Sequence, residues 1–283
     1  MRRVRSVEAL LDEADAFLLD QFGTLHNGAT LYPGVAEAMA AMRSAGKRLI
    51  ILSNSGRRSR PNIARLSRIG LPPDSYDGFL SSGDVAWNLM AEGRHPAVAG
   101  ARRCLVLSRG VDPEALEGLD LEPTDDAATA DLVLLLGSDA DRISLDAYRE
   151  RLAPAAARGT LCLCGNPDRT MVLPDGALAP AAGQIAELYA EMGGPVLWIG
   201  KPGAAIYDAA FDLLQPMLGG AIDRARIWAV GDSIEHDVAG AAAQGCRSVL
   251  VMTGLMAGRG DAAVAEEMAR WGRMPDAILP QFA

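Results

Sequence analysis

Short apolar runs recur along the chain, each closing on a polar residue or a glycine. They are AFLLD (16–20), RLIILS (48–53), GFLSS (78–82), RCLVLS (103–108), DLVLLLG (131–137), TLCLCG (160–165), PVLWIG (195–200), RIWAVGD (226–232) and SVLVMTG (248–254). Runs this short and this continuous in Val, Ile and Leu predict strands buried on both faces. The Ala-rich stretches between them have helical spacing. PGVAEAMAAMRSAG (33–46) is the clearest case, with Pro33 expected in the first helical turn and Gly46 in the left-handed position past the end. Strands alternating with helices predict an α/β protein with a mainly parallel sheet. In such sheets, ligands collect at the carboxyl ends of the strands.

The middle of the chain, 84–178, has strands of its own and loops such as VDPEALEGLDLEPTDDAA. It reads as an inserted second domain, leaving 1–83 and 179–283 as one core domain. Ala-Pro-Gly-rich patches near 93–101 and 174–183 are the expected hinges. The opening residues, basic at first and then acidic, read as a short helix leading into the first strand.

Composition narrows the class. The chain has 283 residues, 49% of them hydrophobic, enough for one large or two medium globular domains. A formal net charge of −9 argues against a nucleic-acid partner, because phosphate backbones select basic faces. No apolar run approaches the roughly 20 residues that span a bilayer, and the N-terminus lacks an apolar signal core. Cys104, Cys162, Cys164 and Cys246 form no CxxC pair. They are expected as reduced, buried thiols, and the protein as cytoplasmic.

Four polar positions fall where apolar runs end. Asp20 opens a D-x-x-G-T turn; its carboxylate could attack as a nucleophile or bind a metal, or simply cap the turn. Gly23 allows a sharp turn, and Thr24 offers a hydroxyl to an oxyanion. Ser53, Asn54 and Ser55 supply hydroxyls, an amide and backbone N–H groups before an expected helix, which suits an anion or an N-cap. Lys201, fixed between Gly200 and Pro202, suits charge neutralisation on a phosphoryl group. Asp232 ends a further run, and Asp237 follows five residues later. Three acids near one sheet edge make an oxygen-rich site suited to Mg²⁺. A metal, a nucleophilic carboxylate, a lysine and hydroxyl donors are what phosphoryl transfer through an aspartyl phosphate requires.

In this order and spacing the set resembles the haloacid dehalogenase (HAD) superfamily. DxxGT (Asp20–Thr24) is similar to its first motif, Ser53 to its second, Lys201 to its third, and Gly231-Asp232 with Asp237 to its fourth. SNSGRRS, GNPD (165–168), GALAPAAGQIAELY (176–189) and GKP resemble the class IIA, NagD-like branch, whose inserted cap is of the C2 type. The resemblance implies a Rossmann-like core with an α/β cap and hydrolysis of a small phosphorylated metabolite. It implies Mg²⁺ held by Asp20, the backbone carbonyl of Phe22 and Asp232, with Asp237 supporting the metal shell. By the same resemblance Ser53 and Lys201 bind phosphate. Similar proteins form cap-mediated dimers, so a homodimer is one expectation.

One position departs from the pattern. HAD phosphatases carry a second Asp two residues after the nucleophile, which protonates the leaving alcohol and then activates water. Here that place is Phe22. Three accounts follow. Another group, with His26 the nearest titratable candidate, moves the proton in a metal-dependent phosphatase. Alternatively the chain is a metal-independent, dehalogenase-like hydrolase, since dehalogenases place an aromatic residue there. Or it binds phosphometabolites with impaired turnover. Arg57, Arg58 and Arg60 could hold a substrate carboxylate or a second phosphate, or form a solvated helix start. Asn166 and Asp168 could face the cleft or shape a turn. The four tryptophans are expected to serve packing.

Overall fold

The computed structural model describes residues 2–93, 95–173 and 177–283, with Val172 described by its backbone alone. In chain order the strands are β1 (Arg2–Arg3), β2 (Ala16–Leu19), β3 (Arg48–Ser53), β4 (Gly78–Ser81), β5 (Arg103–Leu107), β6 (Glu122–Pro123) and β7 (Leu132–Leu135). They continue as β8 (Leu161–Cys164), β9 (Thr170–Val172), β10 (Leu178–Pro180), β11 (Val196–Trp198), β12 (Ile227–Gly231), β13 (Arg247–Val251) and β14 (Ala277–Leu279). Every apolar run marked in the sequence coincides with or overlaps one of these strands. The chain forms two compact units.

The first unit comprises Met1–Ser53, Arg60–Leu80 and Lys201–Ala283. Its sheet has the order β1-β14-β13-β12-β2-β3-β4. At the centre β2 pairs in parallel with both neighbours, Leu19 standing opposite Val230 of β12 and Ile51 of β3. Phe17, Leu18 and Leu19 are all essentially inaccessible, which is why β2 reads as a continuous apolar run rather than an alternating one. On one face Phe17, Leu19, Leu49, Ile51, Val230 and Val249 pack with Met39 and Met42 from the helix Val35–Ser44. That helix is capped by Gly34, so Pro33 lies in the turn before it rather than in its first turn; Gly46 takes the left-handed conformation expected of it. The N-terminal helix is a 3₁₀ segment, Val7–Glu13.

From β2 the chain moves outward to β3 and β4, whereas from β12 it moves the other way, to β13 and β14. The strand order therefore reverses between β2 and β12. That is the switch point where parallel α/β sheets open a crevice at their carboxyl edge.

The second unit comprises Asn54–Ser59 and Ser81–Gly200. Five strands pair in the order β11-β8-β7-β5-β6, in parallel throughout, and β9 pairs with β10 antiparallel. Its limits lie outside the 84–178 read from the sequence. The run 195–200 supplies β11, which adds to β8 with Val196 opposite Cys162. The helix Ala182–Glu191 sends Ile185, Ala186 and Tyr189 into the same core as Val133, Leu135 and Cys164. Segment 179–200 thus packs with the inserted sheet. Of the expected hinges, residues 94 and 174–176 lie outside the described residues, as does Gly176 at the start of GALAPAAGQIAELY.

All four cysteines are free and buried. Trp228 is fully buried, Trp198 and Trp271 pack against core clusters, and Trp87 donates to the Glu117 carbonyl. No helix among the described residues is long and apolar enough to cross a membrane.

Candidate active site

The carboxyl ends of β12, β2 and β3 lie side by side, so the residues that follow them are gathered by the sheet itself. The Asp20 backbone N–H extends the ladder by donating to Val230 at 2.9 Å, and the chain then turns sharply through Gln21 to Thr24. Gly23 makes the turn with φ +85, and a Cβ there would stand 2.0 Å from Asp232 Oδ2. Gly254, from the loop after β13, would strike the same oxygen at 1.9 Å if it carried a Cβ. The two glycines leave the Asp232 carboxylate room between two loops. Thr253 Oγ1 donates to the Gly23 carbonyl at 2.5 Å and Leu255 N–H to Asp232 Oδ2 at 2.7 Å, which tie those loops together. Thr253 to Leu255 went unread in the sequence, where a strand end followed by TGL carries no distinctive mark.

Lys201 reaches the same point by another route. The strand before it, β11, belongs to the second unit's sheet, so Lys201 does not close a strand of the sheet that carries Asp20. It is the first residue of the chain's return to the first unit. Its side chain is 3% exposed, and Nζ lies 2.7 Å from Asp20 Oδ1 and 2.7 Å from Asp237 Oδ1. Burial alone would lower the ammonium's pKa. The two carboxylates outweigh it and hold Lys201 protonated, well above the ordinary lysine range. Asp237 Oδ2 accepts from Ser233 N–H at 3.1 Å within a π-helical turn, Ile234–Val238, and Thr24 Oγ1 donates to Asp20 Oδ2 at 3.4 Å.

The charge balance points to a cation. Asp20, Asp232 and Asp237 each offer an oxygen, and these lie within 4.8 Å of one another. Burial, and then the neighbouring Asp20 and Asp237 charges, push Asp232 well above the ordinary carboxylate range; the Leu255 N–H and Lys201 only partly offset this. A buried all-oxygen donor set short of positive charge fits a hard divalent ion such as Mg²⁺.

Ser53 ends β3 on the other side of β2. Its Oγ accepts from Gln21 Nε2 at 2.6 Å. Gln21 Oε1 in turn lies 3.4 Å from His26 Nε2, and His26 Nδ1 accepts from Gly28 N–H at 2.9 Å. His26 is fully buried, and desolvation pulls its pKa down to about 4, with Arg65 adding to the fall. Both its ring nitrogens are engaged inside the loop, so the sequence expectation that it could carry the missing proton finds no support here. Phe22 is 51% exposed and meets His26 edge to face at 5.8 Å between ring centroids.

The buried imidazole has a consequence for stability. Below about pH 6.5 the unfolded chain protonates His26, while the folded protein refuses the proton until about pH 4. Its contribution is therefore complete above pH 6.5 and lost as the pH falls to 4, by about 3 kcal/mol. Denaturant unfolding of the native protein and of His26→Gln at pH 7 and pH 4.5 should show a smaller acid loss in the variant. Equal acid losses would remove His26 from the account.

Asn54 and Ser55 belong to the second unit. Asn54 Nδ2 donates to Asp168 Oδ1 at 2.9 Å, and the Ser55 carbonyl accepts from Gly83 N–H. The following helix, Ser59–Arg68, starts too late for either to cap it. Asn166 Oδ1 accepts from the Asp168 N–H, which is the turn role read from the sequence. Arg58 stacks over Trp87 at 4.3 Å and pairs with Asp84 at 3.6 Å.

A profile of haloacid dehalogenase-like hydrolases matches residues 17–122, and a second, HAD-hydrolase-like profile matches 198–283. Human chronophin is 29% identical over 262 residues, covering 89% of this chain and 86% of its own. The sugar-phosphatase AraL of Bacillus subtilis (strain 168) is 28% identical over 239 residues, covering 84% and 82%. The crystal structure of a hydrolase of the haloacid dehalogenase-like family from Brucella suis 1330 superposes with a TM-score of 0.84 at 30% identity, covering 99% of this chain and 100% of that one. The chain belongs to the haloacid dehalogenase-like hydrolases, in their class IIA branch.

Proposed function

We propose that the chain is a Mg²⁺-dependent phosphatase of a small phosphorylated metabolite, working through a phosphoryl group carried on Asp20. The observation that carries this is the cluster at the strand-order reversal, where Asp20, Asp232 and Asp237 converge and a buried lysine pairs with Asp20 and Asp237. The sugar-phosphatase AraL among its relatives supports the same reading.

A carboxylate oxygen of Asp20 forms a bond to phosphorus as the bond to the ester oxygen breaks. Water then attacks the same phosphorus, phosphate leaves, and the carboxylate is restored. Lys201, held by two carboxylates, places a fixed positive charge beside the phosphoryl oxygens in a site largely shielded from water. Thr24 and Ser53 offer hydroxyls to the phosphate. Asp20, Asp232 and the Phe22 carbonyl would hold Mg²⁺, with Asp237 behind them, and the ion would supply Lewis-acid neutralisation of the phosphoryl charge.

Nothing in the loop from Asp20 to Gly28 can protonate the leaving oxygen, because Phe22 is apolar and His26 is sealed inside. This favours substrates whose leaving group departs with little protonation. The same observation is the ground for a second reading, a phosphometabolite-binding protein with little turnover. A dehalogenase-like reaction needs no metal, whereas Asp232 and Asp237 complete an oxygen-rich donor set with Asp20, which favours phosphoryl chemistry. Buried, unpaired thiols fit a reducing, cytoplasmic setting.

The metal assignment has its own test. Mg²⁺ at about 100 times its Kd should stabilise the native protein by roughly 2.7 kcal/mol. In Asp232→Asn the thermal shift should vanish while the protein stays folded. An undiminished shift in the variant contradicts the assignment.

A further inference from the structure

We infer that Gln21 and His26 are positioning residues that fix the direction of the Ser53 hydroxyl. The inference rests on the proposed role of Ser53 at the phosphoryl group and adds two residues that no motif of the family marks.

The argument runs along a chain of hydrogen bonds whose polarity is set at one end. A backbone N–H can only donate, and the Gly28 N–H points at His26 Nδ1 at 2.9 Å. Nδ1 must therefore be the unprotonated nitrogen, and a neutral imidazole then carries its hydrogen on Nε2. Nε2–H needs an acceptor, and the atom it faces is the Gln21 side-chain oxygen, at 3.4 Å. That choice turns the amide so that its NH₂ group faces Ser53, where Nε2 lies 2.6 Å from Oγ. A hydroxyl has a single hydrogen. With Gln21 donating into its lone pair, Ser53 must direct that hydrogen elsewhere, as a donor and not as an acceptor. A phosphoryl oxygen is a pure acceptor, so the polarity is the one a phosphate site needs.

Burial makes the arrangement stiff. His26 is fully buried, Gln21 is 5% exposed and Ser53 is 3% exposed, so water cannot readily substitute for any link. Reversing the chain would leave His26 Nε2–H facing an NH₂ group, two donors confronting each other at a buried site. Gln21 directly follows Asp20 and Ser53 ends the adjacent strand. The relay therefore also ties the nucleophile's loop to the phosphate loop across β2 and β3.

The tautomer and the coupling can be measured separately. Imidazole ¹⁵N shifts of the native protein, assigned with His95→Gln and His236→Gln variants, should show His26 unprotonated at Nδ1 and protonated at Nε2 at pH 7. Protonation at Nδ1 overturns the inference whatever the activity. Affinity for inorganic phosphate in the presence of Mg²⁺, by calorimetry, then reads the coupling. Ser53→Ala should weaken it by roughly 10- to 100-fold, the range for a hydrogen bond to a charged group. Gln21→Leu should weaken it by roughly three- to tenfold, on the order of one neutral hydrogen bond. The double variant should match Ser53→Ala alone, because Gln21 acts only through Ser53. Multiplicative losses, or unchanged phosphate affinity in folded Gln21→Leu, overturn it. If Gln21→Leu does not fold, His26→Phe replaces it in the same cycle with the same expectation. Failure of the unaltered protein to bind phosphate sinks the functional reading and the role of Ser53 together. Retained phosphate binding with the wrong tautomer sinks the relay alone.

Discussion

Asp20→Asn should abolish phosphate-ester hydrolysis while leaving the fold intact. The expected loss is on the order of 10⁴- to 10⁶-fold in kcat, the scale seen when a covalent nucleophile is removed and only binding and charge stabilisation remain. Asn keeps the shape of the side chain but its amide cannot form the acyl phosphate. The structural effect should be small and should carry the opposite sign from the catalytic one. Lys201 keeps Asp237 at 2.7 Å, so its charge stays compensated. Meanwhile Asp232 loses one of the two negative neighbours that raise its pKa, which relieves like-charge crowding in the buried site. The melting temperature in the absence of metal should therefore hold or rise as activity disappears. Full, Mg²⁺-dependent turnover by this variant would remove Asp20 from the mechanism. A collapse of the melting temperature would assign it a structural role instead.

Phe22→Asp should work in the other direction. General acid–base assistance is worth roughly 10²- to 10⁴-fold, and an ordinary alkyl phosphate depends on it far more than p-nitrophenyl phosphate does. The substitution should raise kcat on alkyl phosphates towards that range and change the aryl substrate little. Phe22 is half exposed, so little core packing is lost. The cost lies in its edge-to-face contact with His26, whose removal wets a ring that the loop keeps dry. A modest fall in stability should accompany the gain in rate. Equal or lower rates on both substrates would show that Phe22 supports a different reaction or that the proton already has a carrier.

Much of this site could be read before the fold was known, and the reason is local. In a parallel sheet a polar residue that ends an apolar run lies at the carboxyl edge, so Asp20, Ser53 and Asp232 announced their position by spacing alone. Asp237 was legible because it follows Asp232 by about one helical turn. Lys201 was found from its flanking Gly200 and Pro202, although the strand before it serves the other sheet. An apolar run says that a strand is buried but not which sheet takes it up, which is why β11 and the helix before it fell on the wrong side of the expected boundary. β1, β6, β9, β10 and β14, two or three residues each, are too short to leave a periodic trace. His26 was read only as a possible proton carrier, and Gln21 was passed over for a different reason. A buried polar side chain between an acid and an aromatic looks like loop filler until its partners are known, and Ser53 lies 32 residues away from Gln21 along the chain. Thr253 to Leu255 depends in the same way on a loop contact that only the fold creates.

The central claim is that this site transfers phosphoryl groups with a metal. Release of phosphate and of halide should be measured side by side, over a panel of small phosphorylated metabolites and 2-haloacids, with Mg²⁺ and with a chelator. Phosphate release that requires Mg²⁺ is the predicted result. Halide release that persists in chelator, without phosphate release, would contradict it.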